Sequence, residues 1–258
     1  MAVFTCNFYA ATLGTGSTMT VILPEQAALR RRKVPVLFLL HGLLDDHSIW
    51  LRRTSIERYA EQLNVAIVMP SGGRSFYTNM AHGYRYWDFI SDELPALARA
   101  FFPLSEKREE TFVAGLSMGG YGALKLALAQ PERYAAVAGL SSAVRAFMDD
   151  DDRTGEWYAE MEDVFGPHEQ FAGSHHDLAT LATAAAAAGP GPAPRIYLAC
   201  GQQDFLYADN IALRDHLHTL PLALRWEEGP GDHSWAYWDA EIQKVLAWLP
   251  LRKLPVKQ

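Results

Sequence analysis

The sequence predicts an α/β fold: a mostly parallel central sheet with helices on both faces and a small cap insertion. Three observations predict it. Short apolar runs such as Val34 to Leu40 are continuous and not alternating, as in strands covered on both faces. Segments of helical spacing stand between these runs, which is the alternation that builds parallel sheets. The 258 residues are 49% hydrophobic and 21% charged, the balance of one soluble globular domain with a full core.

The elements follow in order. Val3 to Thr12 and Thr18 to Leu23 are rich in β-branched and aromatic residues around Gly14-Thr15-Gly16, which reads as an opening hairpin. Val34 to Leu40 is a buried strand, Ser48 to Leu63 a helix, and Val65 to Met69 a strand. Asp92 to Phe102 reads as a helix with Pro95 in its first turn, where a missing N–H costs little. Thr111 to Ala114 is a strand, Gly119 to Gln130 a helix ending before Pro131, and Ala135 to Leu140 a strand. Arg195 to Cys200 and Leu222 to Trp226 complete the strands, with helices at Ala208 to Leu220 and Trp235 to Trp248.

Between Arg145 and Pro194 the regularity fails. An acidic run from Asp149 to Asp152 leads through Trp157, Tyr158 and Phe165 to an alanine tract and Gly189-Pro190-Gly191-Pro192. The expectation is one domain, residues 1–258, carrying a cap at about 145–194, because the candidate catalytic residues lie on both sides of it.

Composition excludes several classes. A formal charge of −7 argues against a nucleic-acid or anionic-membrane surface. The basic run Arg30 to Lys33 reads as a solvated loop end. No apolar run is long enough to span a bilayer, and the N-terminus lacks the features of a secretory signal, so the expected location is cytoplasmic. The two cysteines, Cys6 and Cys200, form no disulfide framework or metal spacing and read as buried thiols.

Gly115-Leu116-Ser117-Met118-Gly119 lies directly between a strand and a helix. A strand-to-helix turn that tight needs small residues two positions either side of the serine, and it pushes Ser117 out above the sheet. The helix N-terminus then faces charge developing beside it. Chance occurrence in a glycine turn is the competing reading, and the placement argues against it. Gly139-Leu140-Ser141-Ser142-Ala143 lacks the second glycine, so Ser141 and Ser142 read as loop residues.

This elbow belongs to the α/β-hydrolase fold, in which an acid and then a histidine follow on loops after later strands. Here Gly201-Gln202-Gln203-Asp204 follows one strand, and Glu227 through His233 follows the next. His233 is the expected base and Asp204 its orienting acid; Asp232 is badly placed beside the ring, and Asp209 falls in the following helix. Leu43, after His41-Gly42, and Met118, after the nucleophile, supply the expected oxyanion N–H donors. His168, His175, His176 and Asp177 could be imagined as metal ligands, but they read as loop residues, and neither a metal nor an organic cofactor is expected. Phe76, Tyr77, Trp157 and Phe165 are the expected substrate-binding residues, making a small apolar acyl pocket. Core packing, or a subunit interface in a homo-oligomer, are the alternatives for these aromatics.

With these residues assembled, the chain resembles the esterase D family, which includes S-formylglutathione hydrolases and short-chain esterases of the tributyrin esterase type. The carrying segments are His41-Gly42-Leu43, Ser75 to Asn79, Tyr86 to Pro95, Gly115 to Ala123, Gly201 to Asp204 with Tyr207 and Asn210, and Asp232 to Trp235. His41-Gly42-Leu43 and Tyr86-Trp87-Asp88 look closest to the tributyrin esterase branch. The resemblance implies the same triad and oxyanion donors, and a serine carboxylesterase acting on a small-molecule ester through an acyl-Ser117 intermediate. S-formylglutathione or other thioester hydrolysis, acyl transfer, and an inactive binding module are the alternatives.

Overall fold

Alternation along the central strands sorts the core into two layers, one on each face of a single sheet. In the computed structural model, which describes residues 1–25, 33–145, 154–188 and 193–251, Val36, Phe38 and Leu40 face one layer. Leu37 and Leu39 of the same strand face the other. The sheet has eight strands: β1 (Ala2–Ala10), β2 (Thr15–Leu23), β3 (Val36–Leu40), β4 (Ala66–Pro70), β5 (Thr111–Leu116), β6 (Ala136–Leu140), β7 (Arg195–Gly201) and β8 (Leu224–Gly229). Their spatial order is β1-β2-β4-β3-β5-β6-β7-β8. The β1–β2 and β2–β4 pairs are antiparallel and all later pairs are parallel. The α/β expectation, with helices on both faces, is what the chain adopts.

Eight main helices among the described residues cover the sheet: α1 (Ile49–Arg53), α2 (Ile56–Ala60), α3 (Leu94–Phe101), α4 (Met118–Ala129), α5 (Glu156–Phe165), α6 (Leu178–Ala187), α7 (Tyr207–His218) and α8 (Trp235–Trp248). Trp50 of α1, Ile56 of α2 and Trp238, Ile242 and Val245 of α8 fill one layer. Helices α3, α4, α6 and α7 fill the other. Every residue of α4 from Met118 to Leu128 is buried, so this helix runs through the interior and its neighbours pack all round it.

Three expectations change. The helix expected over Ser48 to Leu63 is two short ones. The Thr54 hydroxyl donates to Trp50 O at 2.5 Å and accepts from Ile56 N–H at 3.1 Å, giving the backbone an alternative to the next helical turn. The helical stretch around Pro95 begins earlier, at Tyr86, and passes through a π turn at Phe89–Glu93 before α3. Pro95 stands in the first turn of α3, as expected, and the widened turn before it accommodates a residue that cannot donate to the carbonyl four positions back.

The third change concerns the segment expected to be irregular. It contains α5 and α6, and Tyr158, Met161, Val164, Phe165, Leu178, Ala182 and Ala185 join the core layer around α4. Alanine is the best helix former and its small side chain lets two helices approach closely, so the alanine tract makes a packed helix. Asp177 caps α6 by accepting from Ala179 N–H at 3.0 Å. The acidic run, most of the basic run and the Gly189 to Pro192 stretch lie outside the described residues. Cys200 is buried, whereas Cys6, on edge strand β1, is half-exposed.

Candidate active site

The parallel strands β3, β5, β6 and β7 end together, and their following loops meet above the sheet. Ser117 stands between β5 and α4 with φ 52° and ψ −119°, a conformation that costs energy for any residue with a Cβ. Neighbouring backbone holds it there: Ser117 N–H donates to Leu140 O at 2.8 Å, and Ala143 N–H donates to Ser117 O at 3.1 Å. The closeness of the turn explains its glycines. A Cβ at Gly115 would lie 2.3 Å from Gly119 O, and one at Gly119 would lie 2.6 Å from both Leu40 O and His41 O.

His233 and Asp204 reach Ser117 from loops after β8 and β7. His233 Nε2 lies 3.0 Å from Ser117 Oγ, while Nδ1 lies 2.9 and 3.0 Å from the two Asp204 oxygens. Asp204 also accepts from Leu206 N–H at 2.9 Å. Burial pushes the Asp204 carboxyl up, but hydrogen bonds from His233, Leu206 N–H and Ser141 outweigh it and hold the group below its usual range. Asp209 lies in α7 and pairs with Arg145 at 3.0 Å. Asp232 serves the turn instead, its carbonyl oxygen accepting from Ser234 N–H at 2.9 Å.

The loop after β3 is fixed by His41. Gly72 N–H donates to His41 Nε2 at 2.8 Å, so that nitrogen carries no proton and Nδ1–H donates to Gly42 O at 2.6 Å. Burial keeps the ring neutral, its pKa lowered to about 4. Gly42 O belongs to the same peptide as Leu43 N–H, so clamping the carbonyl fixes the direction of that donor. Met118 N–H opens α4 and has no acceptor within the helix.

Ser117, Leu43, Met118 and His233 line one cavity of about 610 Å³. Phe76 and Trp157 also line it, as the sequence suggests. Tyr77 and Phe165, expected to meet the substrate, do not reach its wall. Tyr77 is fully buried because its hydroxyl donates to His41 O at 2.9 Å. Phe165 packs one layer behind, with its ring centroid 5.2 Å from Phe76, 5.1 Å from Phe171 and 5.2 Å from His176.

The structure adds residues that sequence reading missed. Phe205, Leu206, Trp235 and Trp238 line the cavity on the His233 side, with Leu44, Asp45, Ala143 and Arg145. Phe205 and Trp238 flank the imidazole at 4.7 and 4.8 Å between ring centroids. Their nearness in sequence to Asp204 and His233 was the available signal. Ser141, read as a loop residue, is buried at φ 45° beside Asp204 and accepts from Trp238 Nε1 at 3.1 Å. Of the histidines considered as ligands, His176 accepts or shares hydrogen bonds with Lys125 and Thr78, and Asp177 caps α6.

Comparison with known proteins places this chain among hydrolases. The family model described as "Putative esterase" matches residues 10–249. An acetyl esterase of Caldicellulosiruptor saccharolyticus is 32% identical over 96% of this chain and 98% of that protein. Two Staphylococcus aureus structures are each 38% identical over 96% of this chain and 98% of theirs. One is the fluorophosphonate-binding serine hydrolase FphF, with a TM-score of 0.88, and the other is the S-formylglutathione hydrolase FrmB, with a TM-score of 0.86.

Proposed function

The chain belongs to this esterase family, as a serine hydrolase of the α/β-hydrolase fold, and we propose that it hydrolyses short-chain acyl esters through an acyl-enzyme on Ser117. The observation that carries the proposal is the continuous run of hydrogen-bond distances from Asp204 through His233 to Ser117 Oγ. His233 Nε2 takes the Ser117 proton as Oγ attacks the acyl carbonyl, and Asp204 holds Nδ1–H and stabilises the resulting imidazolium. The oxyanion takes the N–H groups of Leu43 and Met118, which need no reorganisation at that moment. His233 then protonates the departing alcohol, and water repeats the sequence in reverse to release the acid and free Ser117.

The cavity favours an uncharged ester. Its wall is formed largely by Leu43, Phe76, Met118, Trp157, Phe205 and Trp235. Among the described lining residues Arg145 is the one guanidinium or ammonium, and Asp209 already engages it, while Asp45 adds negative charge. Thioester hydrolysis of the S-formylglutathione kind is the second reading, supported by the 38% identity to FrmB. The same attack and proton transfers serve both, but glutathione brings carboxylates that this wall does little to bind. A tributyrin-type short-chain esterase, cytoplasmic and carrying residues 145–194 as a cap on a single domain, is the finer form of the proposal.

The test combines fluorophosphonate labelling of wild type and Ser117→Ala with kinetics on acetyl, butyryl, octanoyl and dodecanoyl esters and on S-formylglutathione. Label on wild type alone, with kcat/KM greatest for the short oxygen esters, supports the proposal. Preference for S-formylglutathione establishes the second reading, and a specificity constant rising through dodecanoyl contradicts the short-chain claim.

A further inference from the structure

A lysine is buried on α4 where the chemistry at Ser117 makes no use of it. Lys125 is 2% exposed, two helical turns beyond the nucleophile, and forms no ion pair among the described residues. Its Nζ donates to Thr78 Oγ1 at 2.7 Å and to His176 Nδ1 at 3.0 Å, and lies 5.3 and 5.8 Å from the Trp87 and Tyr121 ring centroids. Burial lowers Lys125 to about 7 and His176 to about 3, which keeps the imidazole neutral and able to accept.

These partners belong to the segments that build one wall of the cavity. Thr78 ends the loop in which Phe76 and Tyr77 both have positive φ. His176 lies beyond α5 and packs on Phe165, which in turn backs Phe76. Phe76 and Trp157 are the surface the substrate meets on that side, with ring centroids 6.3 Å apart. Tyr121 gives α4 a second tie, its hydroxyl donating to His176 O at 2.8 Å.

We propose that Lys125 is a positioning residue for this wall: from the helix that follows Ser117 it binds the Phe76 loop and the His176 segment together and so limits the acyl chain the cavity admits. The inference rests on the esterase reading above, since it assigns this side of the cavity to the acyl group. Lys125 touches no substrate and moves no proton. With it in place, Phe76 and Phe165 cannot separate, and a longer chain meets a closed aromatic layer.

Lys125→Met tests this because methionine keeps the length and fills the space. The Thr78 hydroxyl, 3.2 Å from His176 Nδ1, can then donate to it, so the variant leaves no orphaned partner. Removing a buried ammonium also lifts its desolvation cost, so the melting temperature at pH 7 is expected to hold or rise. The octanoyl-to-acetyl ratio of kcat/KM should rise on the order of tenfold, mainly through KM, with kcat on acetyl ester within about threefold of wild type. Tyr121→Phe with Lys125→Met removes both ties and should raise the ratio further. A ratio within about twofold of wild type in both variants, whatever the melting temperature, overturns the proposal. The ratio is read from ester turnover itself, whereas failure of the Ser117 reading registers separately as absent fluorophosphonate label.

Discussion

His41→Phe separates the making of the oxyanion donor from the making of the fold. Phenylalanine keeps the ring volume and the edge contact with Tyr77, at 5.8 Å between centroids, but removes both nitrogens. Two bonds go: the one that fixes Gly42 O, and the one that satisfies Gly72 N–H. The second loss strands a buried donor and should cost about 1–3 kcal/mol of stability. The first frees the Gly42–Leu43 peptide to rotate. If Leu43 N–H ceases to face the oxyanion, kcat falls by about 10²–10³, the cost of one such donor. KM should change little, since the donor serves the transition state more than the ester. Steady-state kinetics on an acetyl ester, fluorophosphonate labelling rates and thermal melts measure all three. A pH signature accompanies them. The fold lowers the His41 pKa from 6.5 to about 4, so the stability this group contributes is complete above 6.5 and declines as pH falls through about 4. Wild type should therefore lose about 3 kcal/mol more than His41→Phe across that window. A destabilised variant with unchanged kcat would refute the role assigned to this peptide, and parallel stability curves would refute the buried neutral imidazole.

The remaining expectations concern the triad and the wall. Ser117→Ala and His233→Ala should each lower kcat by roughly 10⁶ while melting normally, and the double variant should be no worse, because the residues act as one unit; additive losses would contradict this. Asp204→Asn should lower kcat by about 10⁴, whereas Asp209→Asn, whose carboxylate meets Arg145, should stay near wild type; the reverse order would move the acid to α7. Trp157→Ala, on the cavity wall, should change KM and chain-length range, while Phe165→Ala, 6% exposed, should cost about 3–5 kcal/mol of stability. Native mass measured on the Trp157 variant addresses the interface alternative: unchanged selectivity with a dissociated oligomer would show that this aromatic serves assembly.

Much of this molecule was legible because its strands are short and apolar throughout. Val34 to Leu40 and Thr111 to Ala114 advertise burial on both faces, and Gly115 and Gly119 advertise a turn too tight for side chains. Ser117, His233 and Asp204 were legible because topology brings together residues that follow parallel strands, whatever their distance along the chain. The cavity wall was not. Whether an aromatic faces substrate or core depends on one hydrogen bond or one helical turn, and neither Tyr77, drawn inward by His41 O, nor Phe165, on the inner face of α5, differs from Phe76 in any local pattern. Lys125 was illegible for the same reason: a charged residue in an apolar helix reads as its solvated face until its neighbours are known.

The distribution of backbone strain ties these observations together. Five described non-glycine residues have positive φ, and of these Phe76, Tyr77, Ser117 and Ser141 are gathered around the cavity, with Asn64 elsewhere. Ser117, Ser141 and Tyr77 are held by bonds from regular structure or from their own loop. Ser117 N–H is fixed by β6 through Leu140 O, and Ser141 N–H donates to Ala199 O of β7 at 2.7 Å. Tyr77 N–H donates to Ser75 Oγ at 3.0 Å, and Ser75 Oγ donates to Gly72 O at 2.6 Å. Gly72 N–H in turn bonds the imidazole that fixes Gly42. The loop carrying Phe76 and the loop carrying Leu43 therefore share one histidine. A change that relaxes either must disturb both the acyl wall and the oxyanion donor, so substitutions at Gly72 or Ser75, neither of which lines the cavity, should lower kcat and broaden chain-length range together. Chain-length range that broadened with kcat intact would mean that the two loops are held independently and that His41 serves only the oxyanion side.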